Sequence, residues 1–464
     1  MQKIKLVALF ILIFISGFSQ QTKITGKAPG AEGKIIELIT YSDLITFREK
    51  SITKSLIDST GKFELLIDLP KTVYGSLDID FHKTDLFIEP GRTYNLTIAP
   101  LKYNDVTEVN PFIQSQNLDI SFEIHDMNEL NFLVQQFNTI YNNFLLVNFN
   151  ALYRDRDKSR LDTLRYEIIT SFKEVKNSYF TSYITYKIAS LEQLCQALSQ
   201  PQIGKTYFST PPVLYENLQY MEFFNLYFSK YITITSKALK NKNYNVILKD
   251  PKSYDGMMKT LAEDTLLRKP QLRELVMLKG AMEMYHDTAY NQDAVLALLH
   301  QVGERSIFPD NRQIAGNMIY ELTHLRQGTE APGFNLTDRN QKKVSLKDFK
   351  GKPVLLNFWT TYCQGCIGEM DMMKPLYDKY KDKIEFVSIS ADKDFNKMLY
   401  YINLKTNFVW SFLHVGDSIN LLKEYDVRIY PLFVLIDKEG KIYRYPADNP
   451  SASLGSEIER LVNQ

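Results

Sequence analysis

A short apolar run, Val354-Leu355-Leu356-Asn357-Phe358-Trp359, leads within four residues into Cys363-Gln364-Gly365-Cys366. The run favours β structure and reads as a buried strand, and residues 367–380 read as a helix, so both cysteines fall where strand gives way to helix. The first turn of a helix carries unpaired backbone N–H groups and the positive end of the dipole, and both stabilise a thiolate. Positions i and i+3 share a helix face, so Cys366 can reach back to Cys363 and close a disulfide. A strand that feeds C-x-x-C into a helix is a specific sign of redox chemistry.

The segment from Asn357 to Cys366 resembles the active-site strand and turn of the thioredoxin superfamily. Tyr362 stands where that family usually has tryptophan, and Gln364-Gly365 where Gly-Pro is commonest. Tyr430-Pro431, followed by the apolar run Leu432-Phe433-Val434-Leu435-Ile436-Asp437, is similar to the family's cis-proline and next sheet strand. With Ala331-Pro332-Gly333-Phe334 at the entry, these features resemble the extracytoplasmic subgroup used in cytochrome maturation and related thiol reduction. The resemblance covers roughly the last third of the chain. It implies that Cys363 is the exposed nucleophile and Cys366 the resolving thiol. It also implies that Pro431 lies beside Cys363 and offers an edge to the partner's peptide, with Tyr430, Trp359 and Tyr362 at the substrate-contacting surface. The subgroup often carries a glutamate three residues after the second cysteine, which assigns Glu369 a thiol-tuning role. The family's buried aspartate is replaced by Asn357, which cannot accept a proton.

The remaining features narrow the setting. The formal charge of +1 over 464 residues, with no basic cluster, argues against nucleic acid as a partner. Lys3 and Lys5 precede an apolar stretch from Leu6 to Ile15, and Gly17 and Ser19 suit a cut after Ser19, so residues 1–19 read as a signal peptide. The stretch is short for a membrane span, although retention as an anchor is the competing reading. A lipid anchor would need a cysteine at the cut, and the first cysteine is Cys195. Three cysteines in an exported chain of this size do not make a disulfide scaffold. Cys195 lies in an amphipathic helical pattern and reads as a small buried hydrophobe.

The length predicts about three domains. Residues 20–105 show short strand-like runs at 34–40, 63–67 and 76–81, separated by turns at 28–30, 59–62 and 89–92. They read as a small all-β sandwich, resembling the lead domain that often precedes exported thioredoxin-like domains in Bacteroidetes-type proteins. His82, beside Lys83, reads as a surface residue. Residues 106–327 change to helical periodicity and read as an all-α middle domain, with helices expected at 213–231, 271–285, 292–301 and 311–325. Its many tyrosines and phenylalanines fit core packing or an aromatic binding groove. His125, His286, His300 and His324 lack metal-ligand spacing. Residues 328–464 alternate as an α/β thioredoxin-like domain, a mixed sheet with helices on both faces.

The reading that follows is an exported, periplasmic thiol-disulfide oxidoreductase that works as a reductase on disulfide- or thiol-bearing exported proteins. An upstream membrane electron donor is implied, and neither cofactor nor metal. A zinc site lacks a second cysteine pair. A copper carrier would want wider cysteine spacing and a placed histidine, and His414 is the only histidine in this last domain. A peroxiredoxin-like peroxidase would have a proline where Leu356 stands, although Thr360 precedes Cys363 by three. A peptide- or glycan-binding protein with a secondary redox domain is the alternative from another class.

Overall fold

The structure is a computed structural model and describes residues 21–80, 82–101, 116–123 and 126–463. The expected leader at 1–19, Phe81 and His125 lie outside the described residues. The molecule has an all-β N-terminal region, a helical middle and a C-terminal α/β region built on one mixed sheet.

The β region is a sandwich of two sheets. One orders Lys62–Ile67, Thr22–Lys27, Thr93–Ile98 and Ile120–Phe122; the other orders Glu49–Leu56, Ile35–Tyr41, Val73–Ile79, His82–Ile88 and Gln116–Asn117. Strict alternation in Lys62–Ile67 turns Phe63, Leu65 and Ile67 inward, where they meet Ile36, Leu38 and Leu77 from the facing sheet. The strands at 116–117 and 120–122 carry this region past the expected boundary at 105. Pieces of two and three residues are too short to display a period of two. His82 corrects the expectation of a surface residue: it is 2% exposed at the start of a strand beside Gln116.

The helical region starts at Leu130 and runs to Thr323. Its central aromatic cluster is core rather than groove. Phe208, Tyr220, Phe223, Phe224 and Phe228 are all fully buried, and Phe208 stacks on Phe223 with ring centroids 5.2 Å apart. The helix expected over 213–231 is limited to Leu218–Tyr227, because Lys230 takes a left-handed φ of 50° and a π-helical turn follows at Tyr231–Thr235. The Asn131 amide seals the first helix to the sandwich, donating to the Phe87 carbonyl (2.8 Å) and accepting from the Phe87 N–H (2.7 Å). The Phe87 ring then packs against Tyr179 and Tyr183, so Phe87 joins the helical core while the sandwich keeps its own core between the two sheets. No helix among the described residues is long and apolar enough to cross a membrane.

In the C-terminal region seven strands lie in the order Lys343–Ser345, Asn335–Asp338, Ser411–His414, Glu385–Ser390, Val354–Trp359, Leu432–Ile436 and Ile442–Ala447. The three central strands Ser411–His414, Glu385–Ser390 and Val354–Trp359 run parallel, and the outer pairings are antiparallel. All six residues of Val354–Trp359 are buried, as expected of a strand covered on both faces. Leu355 and Trp359 face one layer with Met370 and Met373, while Val354, Leu356 and Phe358 face the other with Leu422 and Tyr425.

Candidate active site

The buried strand ends at Trp359, and the chain turns through Thr360-Thr361-Tyr362 into the helix Gln364–Tyr380. Cys363 is the residue that caps this helix. Its backbone is extended (φ −76°, ψ 94°), and its Sγ accepts from the Cys366 N–H at 3.1 Å. A sulfur at this position meets an unpaired helix N–H and the positive end of the dipole. Cys363 is half-buried, whereas Cys366, one turn inside, is 0% exposed among Trp359, Met370 and Met373. The two sulfurs are joined as a disulfide with Cα atoms 5.2 Å apart. One sulfur is open to a partner and the other is shielded by the core, which is the asymmetry a nucleophile and a resolving thiol require.

The other sequence candidates fall into distinct places. The Tyr430-Pro431 bond is cis, and Pro431 directly precedes Leu432, which pairs with Phe358. That register sets Pro431 opposite the end of the active-site strand. Tyr430 is partly buried and packs against both core layers of the sheet. Trp359 corrects the expectation of a substrate contact: it is 0% exposed, with its ring against Tyr401 and Phe412. Burial on both faces of the strand puts even its last residue in the core. Tyr362 is half-buried, and its hydroxyl is buried without a hydrogen-bond partner. Both Glu369 oxygens accept from Ser451, one from its N–H at 2.9 Å and one from its hydroxyl at 2.6 Å.

Two buried polar networks under the turn were not anticipated from the sequence. In the first, the Asp392 carboxylate accepts from the Thr361 N–H (3.1 and 3.2 Å), the Thr361 hydroxyl (2.7 Å) and the Ser390 hydroxyl (2.6 Å). His414 accepts from the Gly416 N–H at Nδ1, so Nε2 carries the proton and donates to the Asp392 carbonyl at 2.7 Å. Burial pushes the His414 pKa down. Both its ring nitrogens are engaged, and among the described residues there is no cluster of His, Cys, Asp or Glu suited to a metal. In the second network the Trp410 indole donates to the Ser388 hydroxyl at 2.7 Å, and Ser388 donates to the Asn357 side-chain oxygen. The available signal for the first network was an acidic residue only two positions past the strand Glu385–Ser390.

Residues 327–445 match the AhpC/TSA family. Over 121 residues the chain is 42% identical to a thiol-disulfide oxidoreductase ResA of Bacillus thuringiensis subsp. konkukian, covering 25% of this chain and 66% of that relative. Over 139 residues it is 30% identical to the thiol-disulfide oxidoreductase ResA of Bacillus subtilis, covering 30% of this chain and 76% of that one. Among solved structures, the thioredoxin domain of a thiol-disulfide oxidoreductase from Bacteroides vulgatus is 29% identical, with a TM-score of 0.28, covering 30% of this chain and 99% of that one.

Proposed function

Because the chain belongs, through its C-terminal region, to the thiol-disulfide oxidoreductases of the AhpC/TSA family, we propose that it exchanges the Cys363–Cys366 pair with the cysteines of partner proteins. The observation that carries this reading is the half-open Cys363 at a helix start, bonded to a fully buried Cys366. In the reducing direction the Cys363 thiolate attacks a partner disulfide and expels one partner thiolate, leaving a mixed disulfide. Cys366 then loses its proton and attacks Cys363, which releases the second partner thiol and closes the pair. Two electrons pass to the partner, and the enzyme must receive two from a donor to begin again. Pro431, opposite the end of the active-site strand, is the edge assigned to the partner's peptide, with Tyr430 just before it and Tyr362 just before Cys363 as further candidate contacts. Glu369 remains a candidate to assist the Cys366 proton transfer, acting from its seat on Ser451.

The finer reading is an exported reductase fed by a membrane electron donor and acting on exported proteins, cytochrome maturation included. It is supported by the leader-like residues 1–19 and by the match to thiol-disulfide oxidoreductases. A division into an all-β, a helical and a C-terminal domain at 328–464 is proposed with it, with the first boundary drawn after the strand Ile120–Phe122 instead of at 105. Insulin reduction by the reduced chain is the direct assay, and Cys363→Ser should abolish it. Cys366→Ser should trap partners as mixed disulfides in a cell extract. Turnover that survives Cys363→Ser would reject the assignment.

A further inference from the structure

The exchange reaction just described leaves one buried charge without a task. Asp392 is 0% exposed, and every contact on its carboxylate comes from a neutral donor on Thr361 or Ser390. Its own N–H is taken by the Ser390 hydroxyl at 3.1 Å, and its carbonyl by His414, so the residue is fixed at backbone and side chain together. Thr361 stands two residues before Cys363, a span of at most about 7 Å of chain. Thr360 and Tyr362, on either side, each carry a buried hydroxyl with no hydrogen-bond partner. The Asp392–Thr361 contact is therefore the polar tether of the turn that presents the nucleophile.

The surroundings do little to offset the charge. His414 is held in its neutral form by its two hydrogen bonds. Lys393 is directed among Lys34 and Asp80 of the first domain and Lys397. Asp394 and Asp417 lie near His414 and add negative charge. On the redox helix, Glu369 is engaged by Ser451.

We propose that Asp392 is a positioning residue for the redox pair, a fixed negative charge tethered through Thr361 that disfavours the Cys363 thiolate and makes the dithiol a stronger reductant. The proposal rests on the exchange function above. A negative charge near a thiol raises its pKa. A less stable thiolate means a less stable reduced form, so the equilibrium favours the disulfide and electrons leave more readily. At roughly 10 Å and an effective dielectric of about 20, one such charge is worth about one pKa unit.

The test compares the full chain with Asp392→Asn, which keeps an acceptor for Thr361 and removes the charge. Two quantities are read: the pH dependence of Cys363 alkylation, and the equilibrium with glutathione. In that equilibrium two glutathione thiols become one glutathione disulfide as the Cys363–Cys366 disulfide becomes two thiols. The variant should show a Cys363 pKa lower by roughly one unit, and a reduction equilibrium changed less than about twofold near pH 6 but raised roughly five- to tenfold near pH 9, where the thiolate is populated. Asp392→Ser, also neutral and able to accept, answers the same question if Asp392→Asn does not fold. An unchanged pKa, or an equilibrium shift of the same size at both pH values, would mean that Asp392 only holds the turn, and would overturn the proposal. A wild type that exchanges with neither insulin nor glutathione would instead sink the function proposed above, while the two Cys363 titrations would still decide this point.

Discussion

Single side chains divide the three cysteines by task. Cys363 is half-buried at a helix start, Cys366 is 0% exposed, and Cys195 is 4% exposed, with burial pushing its thiol pKa up. Alkylation of the reduced protein at mildly acidic pH should therefore modify Cys363 first and leave Cys195 untouched until the helical region unfolds, as peptide mapping of the adducts would reveal. Early labelling of Cys195 would contradict its place in the core. The Trp410–Ser388–Asn357 chain gives a second prediction at this scale. The indole can only donate, so Ser388 must accept from it and give its own proton to the Asn357 oxygen. Ser388→Ala would strand a buried donor and a buried acceptor at once, costing about 2–4 kcal/mol. A chemical-unfolding curve of the variant within about 0.5 kcal/mol of wild type would show that the chain contributes no stability.

At the scale of elements, the redox helix is held at two points. Its first turn is capped by Cys363, and Glu369 ties the same end to the loop that starts the last helix, Leu454–Val462. Glu369→Ala should release the Ser451 amide to fast hydrogen exchange and cost about 1–3 kcal/mol, since a charge-assisted pair of bonds is lost. Glu369→Gln separates this bracing from the thiol-tuning role expected from the sequence: a lowered thiol pKa in a variant that keeps Ser451 protected would establish tuning. Legibility followed the same line between local and distant causes. The strand at 354–359, the helix after it and the last helix were readable because burial on both faces, a cap and a 3.6 period all leave marks in consecutive residues. Trp359 was misplaced because the end of a strand gives no local sign of whether sheet neighbours cover it. Asp392 and Ser451 went unnoticed because their partners lie 31 and 82 positions away, and a single sequence carries no record of such pairings.

For the whole molecule, the segment from Ser42 to Glu49 is where the three regions meet. Asn317 of the last middle helix donates to Asp43 at 2.7 Å, the Arg48 guanidinium lies 3.6 Å from the centre of the Tyr320 ring, and Glu49 pairs with Lys423 of the C-terminal region. Beside that last pair sits Asp78, whose pKa is pushed up to about 6, mainly by burial and further by Glu49, against the opposing pull of the Ser76 hydroxyl, Lys423 and Lys83. Tyr41, close by, has its own pKa pushed up to about 12, mainly by burial and further by Asp85, Glu49 and Asp78. A carboxyl whose pKa is higher in the folded than in the unfolded state binds more protons when folded. Folding stability therefore falls as pH rises from about 4 to about 6, and the loss is complete above that window. A two-unit shift corresponds to at most about 2.7 kcal/mol, and partial exposure brings the expected effect to about 1–2 kcal/mol. Asp78→Asn, whose amide oxygen still accepts from Ser76, should accordingly raise the melting temperature of the β region at pH 7 and leave it unchanged near pH 4. A gain of equal size at both pH values would trace the stabilisation to packing, and no gain at pH 7 would mean that Lys423 already neutralises Asp78 across the junction.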